Sequence, residues 1–325
     1  MKQRFALAVH GGAGALSNIP PKRTSNFKEG IREALLAGQS ILSQGGTSID
    51  AVQAAVVVLE DFPAFNAGKG AVCASDGNHY LDASIMSGAP SSHTGGEPLL
   101  RSGAVTGVRN TKNPIALARL VRDASMHTLL RGNHADAFAK EHGLETVEAN
   151  YFATNYRSQQ LKRAQERGSV VQDHDLESAD PDSKKGTVGA VACDCNGTLA
   201  AATSTGGRVN QHPGRVGDSA IVGAGTYAED GVCAISATGW GELFLEHSVA
   251  SSIALLIREA GFSFQDALER IVLSRLPKNS GGVIAVNSNY EILMPYNTGG
   301  LIRGCIDERG ILQIGIHSEM TISES

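Results

Sequence analysis

Residues 183–207 read SKKGTVGAVACDCNGTLAAATSTGG, and they limit the fold more than any other stretch of the chain. A polar tract tipped by two lysines stops at Gly186-Thr187, and an alternating apolar run follows. Asn196-Gly197 then sends the chain back into a run rich in alanine and threonine. Asn-Gly is the preferred pair of a two-residue type I′ turn, because both central residues need positive φ. Such a turn predicts Cys195 opposite Thr198, Cys193 opposite Ala200 and Thr187 opposite Gly206. Thr205 then sits beside Thr187 at the open end of the ribbon. Alternation sends their side chains to opposite faces, so contact requires a bend, for which Gly206-Gly207 provides freedom. The ordinary strand preference of threonine accounts for both residues without any chemistry.

Around this hairpin the pattern alternates between sheet and helix. RFALAV (4–9) is a buried-strand run ending in the glycine cluster HGGAG (10–14). Helical spacing predicts helices over 24–43 and from an N-cap at Ser48 through Leu59. AVCASDGNHYLDASIM (71–86) reads as a hairpin turning at SDGN, and 103–109 as a further strand. Helices are expected over 113–130 and 133–142, and a charged stretch poor in apolar residues over 154–186, its second half a mobile linker. After the hairpin come strands near 220–223 and 232–237, helices near 241–260 and 264–275 with Ser263 and Asp266 as a capping signal, and short strands to the end. Strands then helices, twice over, predict an α+β plan of two face-to-face sheets beneath outer helices.

The totals narrow the function. A net charge of −5, with no run of five like charges, argues against nucleic-acid binding. After the basic residues only five apolar ones precede His10, short of a signal-peptide core, and no apolar stretch nears the ~20 residues of a membrane span, so a cytoplasmic protein with a small-molecule partner is expected. The 38 glycines point to tight turns and close backbone approaches. Five cysteines without CxxC spacing read as buried small hydrophobes.

Cleavage between Gly186 and Thr187 would give the threonine a chemistry. It would free an α-amine of pKa about 7.7–8.0, able to act as base toward its own hydroxyl. The same hydroxyl lies near the Gly186 carbonyl, which lacks a shielding Cβ, so the cut can be self-inflicted by an N-to-O acyl shift.

At this point GTVGAVA, LAAATSTGG, PGRVGDS and ATGWGE, together with HGGAG, FNAGKGAV (65–72), SGGVIAV (280–286) and YNTGGLIRG (296–304), resemble the plant-type (type III) L-asparaginase/isoaspartyl peptidase family of N-terminal nucleophile hydrolases. The likeness runs nearly end to end. It implies a single four-layer αββα sandwich made as a precursor, with an α subunit (1–186, of which about 155–186 is a mobile linker) and a β subunit (187–325). It implies Thr187 as nucleophile and Gly186-Thr187 as the cleavage site, Thr205 as the residue that hydrogen-bonds the nucleophile, and Thr238 with Gly239 as the oxyanion hole.

Arg215 and Asp218, three apart, suit a substrate bearing both an α-carboxylate and an α-ammonium. The resemblance extends that substrate site through Val216, Gly217, Trp240 and the Gly241 carbonyl; a surface ion pair is the plainer account of Arg215 and Asp218. Asn66 is implied near the nucleophile. The loop is implied to wrap a structural sodium ion with the backbone of Leu59, Glu60, Phe62, Phe65, Ala67 and Lys69, although a glycine-rich helix cap explains the same residues as well. No cofactor is expected for catalysis. A homo-oligomer of cleaved protomers is expected. Trp240 stands where the family commonly has a smaller or polar residue, and 87–105 is longer than the usual connection.

Other readings are weaker. An α/β-hydrolase needs a G-x-S-x-G elbow, which the chain lacks. GAGTYA (223–228) leads into a strand where a dinucleotide fold needs a helix. A glycosylasparaginase calls for a signal sequence and an aspartate where Gly186 stands, a taspase-like endopeptidase ranks lower still, and an unprocessed binder of aspartyl compounds would never mature into two fragments.

Overall fold

The computed structural model describes residues 3–16, 19–91, 99–166 and 186–324. The first half contains β1 (Ala6–Gly14), α1 (Pro21–Leu42), α2 (Ser48–Asp61), β2 (Leu81–Ser91), β3 (Leu99–Val108), α3 (Pro114–Ala124), β4 (Leu129–Arg131), α4 (Gly132–Glu141) and α5 (Asn155–Glu166). The second contains β5 (Val188–Cys193), β6 (Leu199–Thr205), β7 (Thr226–Glu229), β8 (Cys233–Gly239), α6 (Gly241–Glu246), α7 (Val249–Arg258), α8 (Phe264–Glu269), β9 (Gly281–Val286), β10 (Ile292–Leu293), β11 (Gly300–Asp307), β12 (Ile311–Gly315) and β13 (Met320–Glu324).

The strands form two sheets. Nine run in the order β13-β12-β11-β1-β5-β6-β2-β3-β4 and four in the order β10-β9-β8-β7. Every pair is antiparallel except β3 with β4. Three apolar cores follow the period-two alternation of the strands. Val188, Ala190, Ala192, Ala200 and Ala202 send their side chains toward α1, α2 and α3. Val191, Cys193, Leu199 and Ala201, one residue out of phase, meet Ala228, Ala234, Ile284 and Val286 of the smaller sheet. The far face of that sheet packs on α7 and α8 through Ile235, Ala237, Val283 and Ala285. Burial on both faces is why β5 and β6 read as nearly continuous apolar runs.

Several elements depart from the sequence reading. Thr47, not Ser48, caps α2: its hydroxyl accepts from the Asp50 amide at 3.3 Å, whereas the Ser48 amide donates to Asp194 at 3.0 Å. Residues 71–80 form no strand, only a tight turn in which the Gly77 amide donates to the Ala74 carbonyl, and β2 begins at Leu81. The helix expected over 113–130 stops at Ala124, because Leu129–Arg131 pairs in parallel with β3. Residues 218–220 make a single 3₁₀ turn, so the strand expected at 220–223 starts at Thr226 instead. The helix expected over 241–260 breaks at Ser248, whose φ of 46° lies in the left-handed region.

Residues 155–166, placed in the linker on composition, form α5 with Arg157, Gln160, Leu161 and Ala164 buried. Arg157 donates from Nε to the Gly70 carbonyl at 2.6 Å and from Nη1 to Gln160 at 3.0 Å. A polar helix is thus held by specific bonds rather than by an apolar stripe. The rest of the expected linker, 167–185, lies outside the described residues, as does 92–98 within the long 87–105 connection.

Candidate active site

The hairpin does not use the turn its Asn-Gly pair predicts. Cys193 pairs with Leu199 and Val188 with Ser204, one residue away from the expected register. The cause is Asp194, whose carboxylate accepts from the amides of Asn196 and Thr198 at 2.9 and 3.2 Å, while its carbonyl accepts from the Gly197 amide at 2.9 Å. That aspartate-led turn lengthens the loop to three residues and leaves Gly197 alone, at φ 79°, in the left-handed region. Continued by one residue, the register sets Thr187 opposite Thr205. Directly opposed residues share a face, so no bend is needed to bring the two together.

That shared face looks into the space between the sheets, where a cleft is lined by Gly186, Thr187, Thr205, Arg215, Gly217, Asp218, Ser219, Gly239 and Trp240. Thr187 is buried, and its Oγ1 lies 3.2 Å from Ser219 Oγ. Thr205 Oγ1 accepts from the Gly207 amide at 3.1 Å. Thr238 is fully buried, and its hydroxyl has no hydrogen-bond partner among the described residues. A Cβ built on Gly186 would stand 3.1 Å from that hydroxyl, so it faces the residue ahead of Thr187. Gly12, from the HGGAG cluster, backs Gly186 on the other side: a Cβ there would lie 3.3 Å from the Gly186 nitrogen. Gly239, at φ 148°, lies against Ser280, whose carbonyl oxygen would be 2.2 Å from an added Cβ; only glycine fits.

Asn66 stands behind this wall rather than in it. Its Nδ2 donates to the Gly207 carbonyl at 2.7 Å and its Oδ1 accepts from the Val72 amide at 2.8 Å, fastening the turn after Thr205. Val216 is 38% exposed and does not line the cleft, unlike its neighbours Arg215 and Gly217. A Cβ on Gly241 would come within 2.7 Å of Asp218 Oδ1 and 2.8 Å of Arg215 Nη2, so glycine there lets the backbone approach both charges.

The charges are arranged with care for direction. Glu242 accepts from Arg215 Nε at 2.9 Å and Nη2 at 3.3 Å, gripping one edge of the guanidinium. Burial works against ionisation of Glu242, but its bonds and attraction to Arg215 outweigh it and hold the carboxyl below its ordinary value. Burial pushes the Asp218 carboxyl up to about 7 against the pull of Arg215, with the charges of Glu242 and Asp82 adding to the rise. Asp218 Oδ2 has no partner among the described residues. Asp82, also raised by burial, accepts from Thr106 Oγ1 at 2.7 Å and the Gly107 amide at 2.9 Å, and bonds the Gly217 backbone. Burial pulls the His10 imidazole down to about 3, the Thr187 backbone opposing, so the ring is neutral.

An arginine fork beside an unsatisfied carboxylate can hold a small zwitterion. A buried hydroxyl at 187, beside that of Ser219, can attack a carbonyl presented to it, whereas Thr238, whose hydroxyl faces Gly186, does not line the cleft. Ser219, Glu242 and Asp82 were missed from the sequence; adjacency to Asp218 and to TGWG was the only signal for the first two, and Asp82 offered none. Burial pushes the Cys193 and Cys233 thiols up to about 12 and that of Cys305 to about 11, in keeping with inert small side chains, although Cys195 and Cys305 are only half-buried rather than buried as expected. Among the described residues no group of three or more His, Cys, Asp or Glu is placed to hold a metal ion, and no helix is long and apolar enough to cross a membrane.

Fold and cleft together define an α+β protein whose site gathers hydroxyls around an arginine and an unsatisfied carboxylate. The chain belongs to the asparaginase family, whose model matches residues 3–316. It is 42% identical over 304 residues to an isoaspartyl peptidase of Escherichia coli, covering 92% of each chain. It is 41% identical over 287 residues to an isoaspartyl peptidase/L-asparaginase of Bos taurus, covering 88% of this chain and 87% of the relative. Against an isoaspartyl peptidase/L-asparaginase of Xenopus laevis it is 38% identical over 322 residues, 98% and 97% of the two chains.

Proposed function

We propose that the protein is a self-processing hydrolase of L-asparagine and β-aspartyl dipeptides that works through an acyl-enzyme on Thr187. The observation that carries this is the convergence of Thr187, Thr205 and Ser219 on the cleft that also holds Arg215 and Asp218. The relatives' names supply the substrate class. In the precursor, Thr187 Oγ1 attacks the Gly186 carbonyl carbon, the C–N bond breaks, and the resulting ester is hydrolysed by water. This leaves a Gly186 carboxylate and a free amine on Thr187.

In the mature enzyme Arg215, whose Nη1 reaches Gln211 Oε1 at 3.3 Å, takes the substrate α-carboxylate on the edge turned away from Glu242, while Asp218 and the Gly241 carbonyl hold the ammonium. The Thr187 amine removes the hydroxyl proton as Oγ1 attacks the side-chain carbonyl, and the oxyanion is met by the Thr238 hydroxyl and the Gly239 amide. Loss of one such donor costs about 2.7–4 kcal/mol of barrier. The ammonium returns its proton to the departing ammonia or amino acid. Water activated by the same amine then cleaves the ester and releases L-aspartate.

The three-core arrangement supports a four-layer αββα sandwich of N-terminal-nucleophile type, built from subunits 1–186 and 187–325. A cytoplasmic homo-oligomer of cleaved protomers completes the reading. The Leu59–Lys69 loop fits a structural sodium ion held by backbone oxygens. Cβ atoms on Gly68 and Gly70 would stand 2.5 Å from the Glu60 and Pro63 carbonyl oxygens, so the two glycines leave a cradle of hard donors. Such an ion would steady the loop that carries Asn66 and take no part in the chemistry.

Replacing Thr187 by Ala tests the core of this. The variant is expected to run as one uncut band, where the parent gives fragments of 186 and 139 residues (325 minus 186), and to release no aspartate. A fully active Thr187→Ala protein would overturn the mechanism.

A further inference from the structure

Five polar side chains lie fully buried between the two sheets, where apolar packing is the rule: His10, Ser84, Thr203, Thr226 and Ser236. They come from β1, β2, β6, β7 and β8. Ser84 and Thr203 are direct partners across β2 and β6, and Thr226 and Ser236 are direct partners across β7 and β8. One hydroxyl pair in each sheet therefore faces a pair in the other. The bonds run Ser84 to Thr226 at 2.8 Å, Thr226 to Thr203 at 2.5 Å, Thr203 to Ser236 at 2.7 Å and Ser236 to His10 Nε2 at 3.0 Å.

One end of this seam reaches Thr187 through Ser219, and the other ends at His10, the cross-strand partner of Gly189 on β5. At one end Ser84 Oγ donates to the Ser219 carbonyl at 2.6 Å, and Ser219 Oγ lies 3.2 Å from Thr187 Oγ1. At the other, the His10 ring stands over β5 at Gly189, and its Nδ1 has no hydrogen-bond partner among the described residues. Carbonyls of Ala202 and Gly225, at 3.1 and 3.2 Å from the Ser236 and Thr203 hydroxyls, are alternative acceptors for the one proton each hydroxyl carries. Gly189 makes room for the seam: a Cβ there would stand 2.0 Å from Ser236 Oγ and 2.6 Å from His10 Nε2. Buried hydroxyls are costly unless satisfied, and a connected set of them rigidifies what it touches.

We propose that this inter-sheet seam is a positioning element for the reaction at Thr187, holding the nucleophile through Ser219 and bracing the strand that follows it at His10. It is not a proton path, since its link to Ser219 passes through the carbonyl and not through the hydroxyl that meets Thr187. The inference rests on the reading of Thr187 as nucleophile and adds to it residues that touch neither substrate nor reacting atoms.

The test is Thr203→Val, which keeps the shape and removes the central hydroxyl, with Thr203→Ser as the conservative rescue. Self-cleavage is followed by intact mass, and kcat and KM are measured on the matured protein with a β-aspartyl dipeptide. A small misplacement of the nucleophile is expected to lower kcat and the cleavage rate about 10- to 100-fold. KM should stay within about twofold, and Thr203→Ser should recover most of the loss. A Thr203→Val protein with parental kcat and cleavage rate, whatever its melting temperature, overturns the proposal, as does a loss that Thr203→Ser fails to recover. Should Thr203→Val not fold, Ser84→Ala decides by the same split of kcat from KM. Thr187→Ala, run in parallel, separates the two claims. Activity there removes the nucleophile itself, whereas an inactive Thr187→Ala beside a fully active Thr203→Val removes the seam alone.

Discussion

Acidification should weaken this enzyme in two separable steps. Asp218 is 3% exposed, and burial lifts its carboxyl to about 7 despite Arg215 alongside. Only the ionised form can hold a substrate ammonium. About nine-tenths of Asp218 is therefore competent at pH 8 and about one-tenth at pH 6, a tenfold loss from this group alone. The freed Thr187 amine, of ordinary pKa about 7.7–8.0, must also be unprotonated to act as base. In the free enzyme both protonations count, so log kcat/KM should fall with a slope approaching two below about pH 6.5. Once substrate is bound, its ammonium keeps Asp218 ionised, and log kcat should fall with a slope of one. Steady-state rates on a β-aspartyl dipeptide between about pH 5.5 and 9 give both profiles. Asp218→Asn should raise KM and remove one unit of slope from kcat/KM while leaving the shape of the kcat profile. A parental kcat/KM slope of one, or an Asp218→Asn protein that keeps a slope of two, would refute the reasoning.

Three further outcomes are expected. Asn66→Ala strands the buried Gly207 carbonyl and Val72 amide, each costing about 1–3 kcal/mol; denaturant unfolding should show a loss of several kcal/mol, with slower turnover as the Thr205 turn loosens. Glu242→Ala frees the edge of Arg215 that it grips, and should raise KM about tenfold for substrates with an α-carboxylate, with little change for analogues that lack it. Glu60, fully buried with Oε1 bonded to Ser204 at 2.6 Å and to the Ile115 amide at 3.0 Å, has its carboxyl pushed up to about 8 by burial. Because its folded value lies above the unfolded one, its contribution is whole below the unfolded pKa and is lost as pH rises through about 8. Melting temperature should fall between about pH 5 and 8, and Glu60→Gln should flatten that fall.

Local chemistry made much of this legible in the chain itself. The Ser263 cap, the helix over 21–42, the β5–β6 hairpin and the α+β order of elements follow from periodicity and capping, which act over a few residues. Thr187, Arg215, Asp218 and Gly239 stood out because the short motifs around them resemble those of a known family, and all four line the cleft. Tertiary structure decided the rest. Asp194 reset the hairpin register by one residue, because its carboxylate bonds the loop and also the amide of Ser48, 146 positions away. α5 formed from a polar stretch because Arg157 found the Gly70 carbonyl. Nothing along the chain links Ser84, Thr203, Thr226, Ser236 and His10, and they became one hydrogen-bonded seam only when two sheets were laid face to face. Sequence patterns register what neighbours along the chain require; a buried polar group is defined by partners that only packing brings within 3 Å.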